Sequence, residues 1–175
     1  IARNARSNEC TYIRTRKGAC SCCARFPCYK NIVALGGSAS TDGGVGALMA
    51  LGYRFLDTDG KEIGKGGGEL SRIVSIDSSN AIAAPTQGVV ALVDVQSPLL
   101  GTNGAAATYA PQKGATPQQI VELEKGLSHL LSIVGRADSA GSGAAGGTSF
   151  GLRAIWGATF ESGAEAIARI VLLRE

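Results

Sequence analysis

The apolar positions of this chain fall into short runs separated by glycine-rich breaks, and their spacing alternates between strand and helix. Asn31-Ile32-Val33-Ala34-Leu35 is an apolar stretch of strand length, read as a buried strand that feeds the loop Gly36-Gly37-Ser38-Ala39-Ser40-Thr41-Asp42-Gly43-Gly44. Val45, Leu48, Met49 and Leu51 then form a short helical face, and Gly52 stands where that helix stops before a strand at Tyr53 to Leu56. Asp57-Thr58-Asp59-Gly60 predicts a turn, because Asp-Gly supplies the positive φ that a tight reversal needs. Its spacing is not that of a twelve-residue calcium loop. Leu70 to Ile76 fits either a strand or a short helix, and Val89 to Val95 is the clearest strand, with Asp94 near its carboxyl end.

The best-specified helix follows Ala110-Pro111-Gln112-Lys113-Gly114-Ala115-Thr116. Thr116-Pro117-Gln118-Gln119 combines an N-cap threonine, a first-turn proline and a glutamine at the capping-box position. Ile120, Leu123, Leu127, Leu131 and Val134 recur on one face of it. His129, the single histidine, falls opposite that stripe and is read as a solvated surface residue, which argues against histidine-based nucleophilic catalysis and His-ligated metal chemistry. A third glycine loop, Gly141-Ser142-Gly143-Ala144-Ala145-Gly146-Gly147, follows. It contains a G-x-G-x-x-G spacing, but no strand precedes it as a dinucleotide fingerprint requires.

Strands alternating with helices predict an α/β fold, and 175 residues with 45% hydrophobic content suffice for one substantial core. Glycine accounts for 25 residues, clustered in loops without a collagen-like period. The absence of an 18-residue uncharged apolar stretch, and of a signal-peptide core at the amino end, makes a cytoplasmic protein the expectation.

Charge divides the chain in two. Residues 1–30 carry seven basic side chains and one acid, a net of +6, whereas the remainder carries ten basic and thirteen acidic residues, a net of −3. No nucleic-acid footprint is therefore expected of the main body. Cys10, Cys20, Cys22, Cys23 and Cys28 all fall in the leader, at a spacing that matches no zinc or iron–sulfur pattern. A thiolate cluster, a basic arm for nucleic acid and an irregular leader joined to a domain at residues 31–175 are the three readings, and the irregular leader is the one adopted.

Several glycine loops beside one lysine suggest a site for anionic groups, phosphate first, since glycine lets backbone N–H groups approach a ligand closely. Lys113, just before a capped helix, is a candidate phosphate contact or an ordinary loop lysine. Asp42, ahead of a helix, is a candidate catalytic acid or an N-cap, and Asp94, beyond a strand end, is a candidate for metal or hydroxyl contact or a turn acid. No G-x-x-x-x-G-K-[ST] loop occurs.

Five segments in order resemble the bacterial type-1 glycerate kinase family: Ala34-Leu35-Gly36-Gly37-Ser38-Ala39 with Asp42-Gly43-Gly44, Ala50-Leu51-Gly52 with Phe55-Leu56-Asp57, Asp94-Val95 with Pro98-Leu99-Leu100-Gly101, Pro111-Gln112-Lys113-Gly114-Ala115-Thr116, and Gly143-Ala144-Ala145-Gly146-Gly147. The resemblance covers residues 31–175 and implies the central, inserted part of a two-domain α/β kinase, with a three-layer or mixed-sheet arrangement. It implies ATP-dependent phosphoryl transfer to a hydroxyl of D-glycerate, giving 2-phosphoglycerate, with Mg2+, in the cleft between the domains. Lys113, Asp42 and Asp94 would then be catalytic, with Asp94 the magnesium ligand. Gly36, Gly37, Ser38, Ser40, Thr41, Gly43, Gly44, Gln112, Gly114, Gly143, Gly146 and Gly147 would contact substrate or phosphate.

The sequence also departs from the family pattern. Thr41 and Ser97 stand where asparagines are usual, Ala110 replaces a glycine, and Ala140 and Ser142 replace a proline and an alanine. The family's Asp-Ser-Phe-Lys-Gly and Gly-Glu-Gly-Arg-Leu-Asp segments have no counterpart, so one side of the cleft is expected from a complementary segment or a homodimer. The alternative expectation is a non-catalytic domain that binds an anion or a partner.

Overall fold

The computed structural model describes residues 9–12 and 30–172. Its main sheet is parallel and four-stranded, in the order β1 (Glu9–Tyr12), β2 (Lys30–Ala34), β5 (Val89–Leu92) and β6 (Thr159–Glu161). A separate antiparallel ribbon joins β3 (Arg54–Leu56) to β4 (Ser75–Asp77). The helices are α1 (Val45–Ala50), α2 (Ala105–Tyr109), α3 (Pro117–Val134), α4 (Ala144–Ala154) and α5 (Gly163–Leu172), with 3-10 turns at Gly67–Arg72 and Pro111–Lys113. This is a mixed α/β architecture.

The central strand β5 is covered on both faces, with Val89, Val90 and Ala91 all buried, as a continuous apolar run in a parallel sheet should be. β2 departs from the expected buried strand. Val33 and Leu35 pack against the core while Ala34 between them is exposed, because successive side chains leave opposite faces and only one face meets the core cluster. β1 lies within the segment expected to be an irregular leader, and it pairs with β2 from Glu9 opposite Lys30 to Tyr12 opposite Val33. Cys20, Cys22, Cys23 and Cys28 lie outside the described residues, so the readings that rest on them do too.

α3 forms as its sequence dictates. Thr116 Oγ1 accepts from the Gln119 N–H at 3.3 Å, Gln119 Oε1 accepts from the Thr116 N–H at 2.9 Å, and Gly135 ends the helix in the left-handed region. Leu127 and Leu130 are fully buried, joining Leu48, Phe55, Leu70, Ile73, Leu99 and Phe150 in one core. Each such side chain stabilises the fold by about 1.5–3 kcal/mol through burial. Gly126 lets the helix lie close on the 3-10 turn Gly67–Arg72, since a Cβ there would stand 3.1 Å from the Gly67 carbonyl oxygen. His129 is half-buried and not solvated, with its Nε2–H donating to the Ile73 carbonyl at 2.7 Å. The stripe count placed it on the helix correctly but could not foresee the loop that folds over that face.

The stretch Leu70 to Ile76 divides between the end of that 3-10 turn and β4. The Asp57 turn closes through Asp57 Oδ1, which accepts the N–H groups of Asp59 and Lys61, both at 3.0 Å.

Candidate functional site

Parallel pairing fixes what meets at the carboxyl edge of the sheet. Ala34 is in register with Leu92, and Leu92 with Glu161, so the Gly36-Gly37 loop, Asp94 and the start of α5 leave the sheet side by side. Asp94 is exposed at this edge, where its Oδ1 accepts the Gly163 N–H at 2.8 Å and, more weakly, the Ala164 N–H at 3.4 Å and the Ser162 hydroxyl at 3.5 Å. It therefore caps α5. Its Oδ2 has no hydrogen-bond partner among the described residues.

The first glycine loop turns back on itself through Asp42. This buried carboxylate accepts the N–H groups of Gly44 at 3.1 Å and Gly46 at 3.2 Å, and the Ser40 hydroxyl at 3.3 Å. Both oxygens are thus engaged in holding the loop onto α1. Gly43 and Gly44 take positive φ, and a Cβ on Gly44 would stand 3.0 Å from Thr148 backbone atoms.

The third loop packs backbone to backbone on the first. The Gly43 N–H donates to the Gly146 carbonyl at 3.1 Å, and the Gly143 N–H to the Ser97 carbonyl at 2.9 Å. Ala145, Gly146 and Gly147 form a left-handed run with φ of 54, 70 and 86°, so the regular helix of α4 begins only after them. Gly143, Gly146 and Gly147 are buried, and their missing side chains make room for neighbouring loops. Ser149 is fully buried beneath them, its hydroxyl 2.6 Å from the Gly141 carbonyl.

Lys113 joins the second loop to the first. Its half-buried ammonium donates to Ser38 Oγ at 3.0 Å, to the Ser40 carbonyl, and to Thr41 Oγ1 at 3.4 Å. All three acceptors are neutral, and Lys113 forms no ion pair among the described residues. Burial pulls the ammonium's pKa below the ordinary lysine value, against the smaller opposing effect of the Asp42 carboxylate.

Around this lysine lies a cleft of about 480 Å³. Its walls come from residues 39–41, from Gly66, Gly67 and Gly68, from Ala110, Lys113, Gly114 and Ala115, and from Gln119, Glu122 and Leu123 on α3. Of the residues expected to bind substrate, Ser40, Thr41, Lys113 and Gly114 meet here, and Ser38 touches the lysine. Gly36, Gly37 and Gln112 are exposed outside the cleft wall, whereas Gly43 and Gly44 lie buried behind it. Gly66-Gly67-Gly68 is a wall that the sequence reading misses, although the run Gly64-Lys65-Gly66-Gly67-Gly68 is as glycine-dense as the three loops named above. Asp138, equally missed, accepts the Leu99 and Leu100 N–H groups at 2.8 and 3.1 Å and anchors the segment leading into α2.

Among the described residues no three His, Cys, Asp or Glu side chains gather to hold a metal, and no helix is long and apolar enough to cross a membrane. Magnesium ordinarily takes one or two carboxylates and completes its shell with phosphate and water. Asp94 Oδ2, without a hydrogen-bond partner among the described residues, fits that sparse demand, whereas both Asp42 oxygens already hold the first loop.

The model of the glycerate kinase family matches residues 24–175. Glycerate 2-kinase of Escherichia coli (strain K12) is 41% identical over 151 residues, covering 82% of this chain and 40% of that protein. Glycerate kinase of Bacillus subtilis (strain 168) is 39% identical over 147 residues, covering 80% and 38%. The crystal structure described as glycerate kinase 2 from Salmonella typhimurium LT2 superposes with a TM-score of 0.77 at 37% identity, covering 83% of this chain and 41% of the other. The chain thus spans about 40% of the length of the relatives it matches.

Proposed function

Because the chain belongs to the glycerate kinase family, with residues 24–175 matching its model, we propose that it supplies the Lys113 cleft of an enzyme that transfers the γ-phosphoryl group of ATP to a hydroxyl of D-glycerate, giving 2-phosphoglycerate. The observation that carries this reading is the half-buried ammonium of Lys113, which opens onto a glycine-walled cleft, donates to three neutral oxygens and forms no ion pair among the described residues. An anion that enters the cleft pairs with this ammonium directly. Phosphoryl transfer asks the protein mainly for positioning and charge neutralisation, and those are what this geometry offers.

In this reading Lys113 binds the anionic group and Ser38, Ser40 and Thr41 orient it. Asp42 is a positioning residue, since both its oxygens shape the loop that presents those hydroxyls. Asp94, through Oδ2, would hold magnesium, which neutralises phosphate oxygens when bound. The inserted-domain arrangement, the division at residue 31, a complementary segment or second copy across the cleft, and a cytoplasmic location belong to the same proposal.

A second reading, an anion-binding domain without transfer, is favoured by the commitment of Asp42 to its own loop, where it accepts the Gly44 and Gly46 N–H groups and the Ser40 hydroxyl. Glycerate-dependent ADP release by the purified chain with ATP and Mg2+, beside Lys113→Ala, separates the two. Release that falls sharply in the variant supports the kinase. Glycerate binding without release supports the second reading.

A further inference from the structure

The hydrogen bonds of Lys113 account for all three of its ammonium hydrogens, and none of the three acceptors is a carboxylate. A neutral amine in the same place keeps two of them. The contact to Thr41 Oγ1, at 3.4 Å, is the weakest, so loss of that hydrogen costs least and leaves a nitrogen lone pair where it stood. Burial already disfavours the charged form. The carboxylates that oppose this effect are Asp42, whose oxygens hold its own loop, and Glu122 on the α3 side of the cleft. The free amine is the nucleophile of lysine chemistry, and desolvation is one way in which a protein activates it. Lys61, Lys65 and Lys125 differ, being exposed, and Lys61 pairs with Asp59 at 3.6 Å, which favours its charged form.

The wall beside this nitrogen suits phosphate. The N–H groups of Ala39, Ser40 and Thr41, three residues that line the cleft, donate to no acceptor among the described residues, and backbone amides of this kind are ready partners for phosphate oxygens. An acyl donor that carries a phosphate is therefore held next to the amine, whereas a neutral acyl donor has no such anchor. At about 480 Å³ the cleft has room for a small acyl phosphate, and among the described residues no aromatic side chain lines it to receive the base of a nucleotide-linked acyl carrier.

Resting on the anion-binding role of Lys113 in the proposed function, we propose that Lys113 is a site of acylation by small acyl phosphates and that the modification closes the cleft to anions. The neutral amine adds through its lone pair to the acyl carbon, so that a C–N bond forms and the bond from that carbon to the phosphate oxygen breaks. The electron pair of the broken bond leaves with inorganic phosphate, which takes the proton that the nitrogen loses. The resulting amide carries no charge, and the ammonium that pairs with an entering anion is gone.

The test is peptide mass spectrometry of the full chain after timed exposure to acetyl phosphate and, in parallel, to N-acetoxysuccinimide, an acetyl donor without phosphate. Acetyl phosphate is expected to modify Lys113 at least about tenfold faster than Lys61, Lys65 and Lys125, with a clearly smaller preference from the neutral donor. Excess inorganic phosphate should protect Lys113, and the preference should vanish in guanidinium chloride because it belongs to the folded cleft. In protein acetylated at Lys113, calorimetry is expected to show affinity for inorganic phosphate reduced at least about tenfold, and an unchanged affinity overturns the closure. Lys113 modified no faster than the exposed lysines, preferred equally by both donors, or left unprotected by phosphate overturns the proposal. Glycerate-dependent ADP release is measured on the same protein. Preferential acetylation of a chain that releases no ADP supports the proposal while the kinase reading fails, and ADP release without preferential acetylation overturns the proposal and leaves the kinase reading standing.

Discussion

A Cβ on Gly146 would stand 2.8 Å from Lys113 Nζ and 2.1 Å from the Ser40 carbonyl oxygen. The third loop therefore sets the position of the lysine by the side chain that it lacks. Gly146→Ala adds an overpacking cost of about 1–3 kcal/mol to a left-handed backbone cost of about 1–2 kcal/mol. A loss of roughly 2–5 kcal/mol is predicted from denaturant midpoints, together with loss of anion binding. A variant as stable as the wild type would show that the loops do not meet this closely.

Lys113→Ala removes the one cation that lines the cleft among the described residues. A charge-assisted hydrogen bond contributes about 1.5–3 kcal/mol, so glycerate affinity is expected to fall roughly 10- to 100-fold. Lys113→Arg should recover little, because a rigid planar fork does not fit three oxygens arranged around a single ammonium. Titration calorimetry on the three proteins decides it, and equal affinities would remove the lysine from the site.

The burial of Lys113 fixes the sign of a pH effect. Its folded pKa lies below the unfolded one, so between the two values the unfolded chain binds the extra proton and stability rises with pH. Below the folded pKa the cost of keeping a desolvated ammonium is fully present. Anion affinity has the opposite trend, since it needs the charged form and declines once pH passes the depressed pKa. Glycerate titrations from neutral to alkaline pH should show that decline earlier than an ordinary lysine would give, and Lys113→Ala should flatten it.

Ala145 is the one non-glycine residue with positive φ among the described residues. Ala145→Gly removes a left-handed penalty of about 1 kcal/mol, offset in part by the greater freedom of the unfolded chain. Thermal unfolding should show a small gain in stability. A clear loss would mean that the methyl group contributes packing that outweighs the strain.

The capping box of α3 gives a local test. Thr116→Ala frees the Gln119 N–H and is predicted to lower stability by about 1 kcal/mol without changing ligand affinity.

That helix also shows what could be read in advance. Thr116, Gln119 and the apolar stripe from Ile120 are signals within one turn or one face, and they survive folding unchanged. The same holds for β5 and for the stop at Gly52, where φ is 91°. The cleft is another matter, because it is assembled from residues 39–41, 66–68 and 110–123, and only the folded chain sets Lys113 beside Ser38 across 75 residues. Gly66-Gly67-Gly68 lacked an apolar run to mark it as one edge of a structure. Asp42 and Asp94 were legible as acids at loop ends but not as acceptors for backbone N–H groups, because that depends on which amides arrive nearby. His129 was assigned to solvent because a helical wheel holds no information about the Ile73 carbonyl.

The order of the parallel sheet has a kinetic consequence. Asn31 pairs with Val89 and Val90 with Thr159, so the two contacts that β5 makes each close a loop of more than half a hundred residues. Loop closure of this length is set against the chain before the sheet can repay it, whereas α3 and its capping box form from near neighbours. A newly made chain therefore has its helices before its sheet, and in that interval the edges of β5 stand open to other chains. Dilution and low temperature during refolding should raise the recovered yield more than any added salt, because the competing reaction is second order in chains.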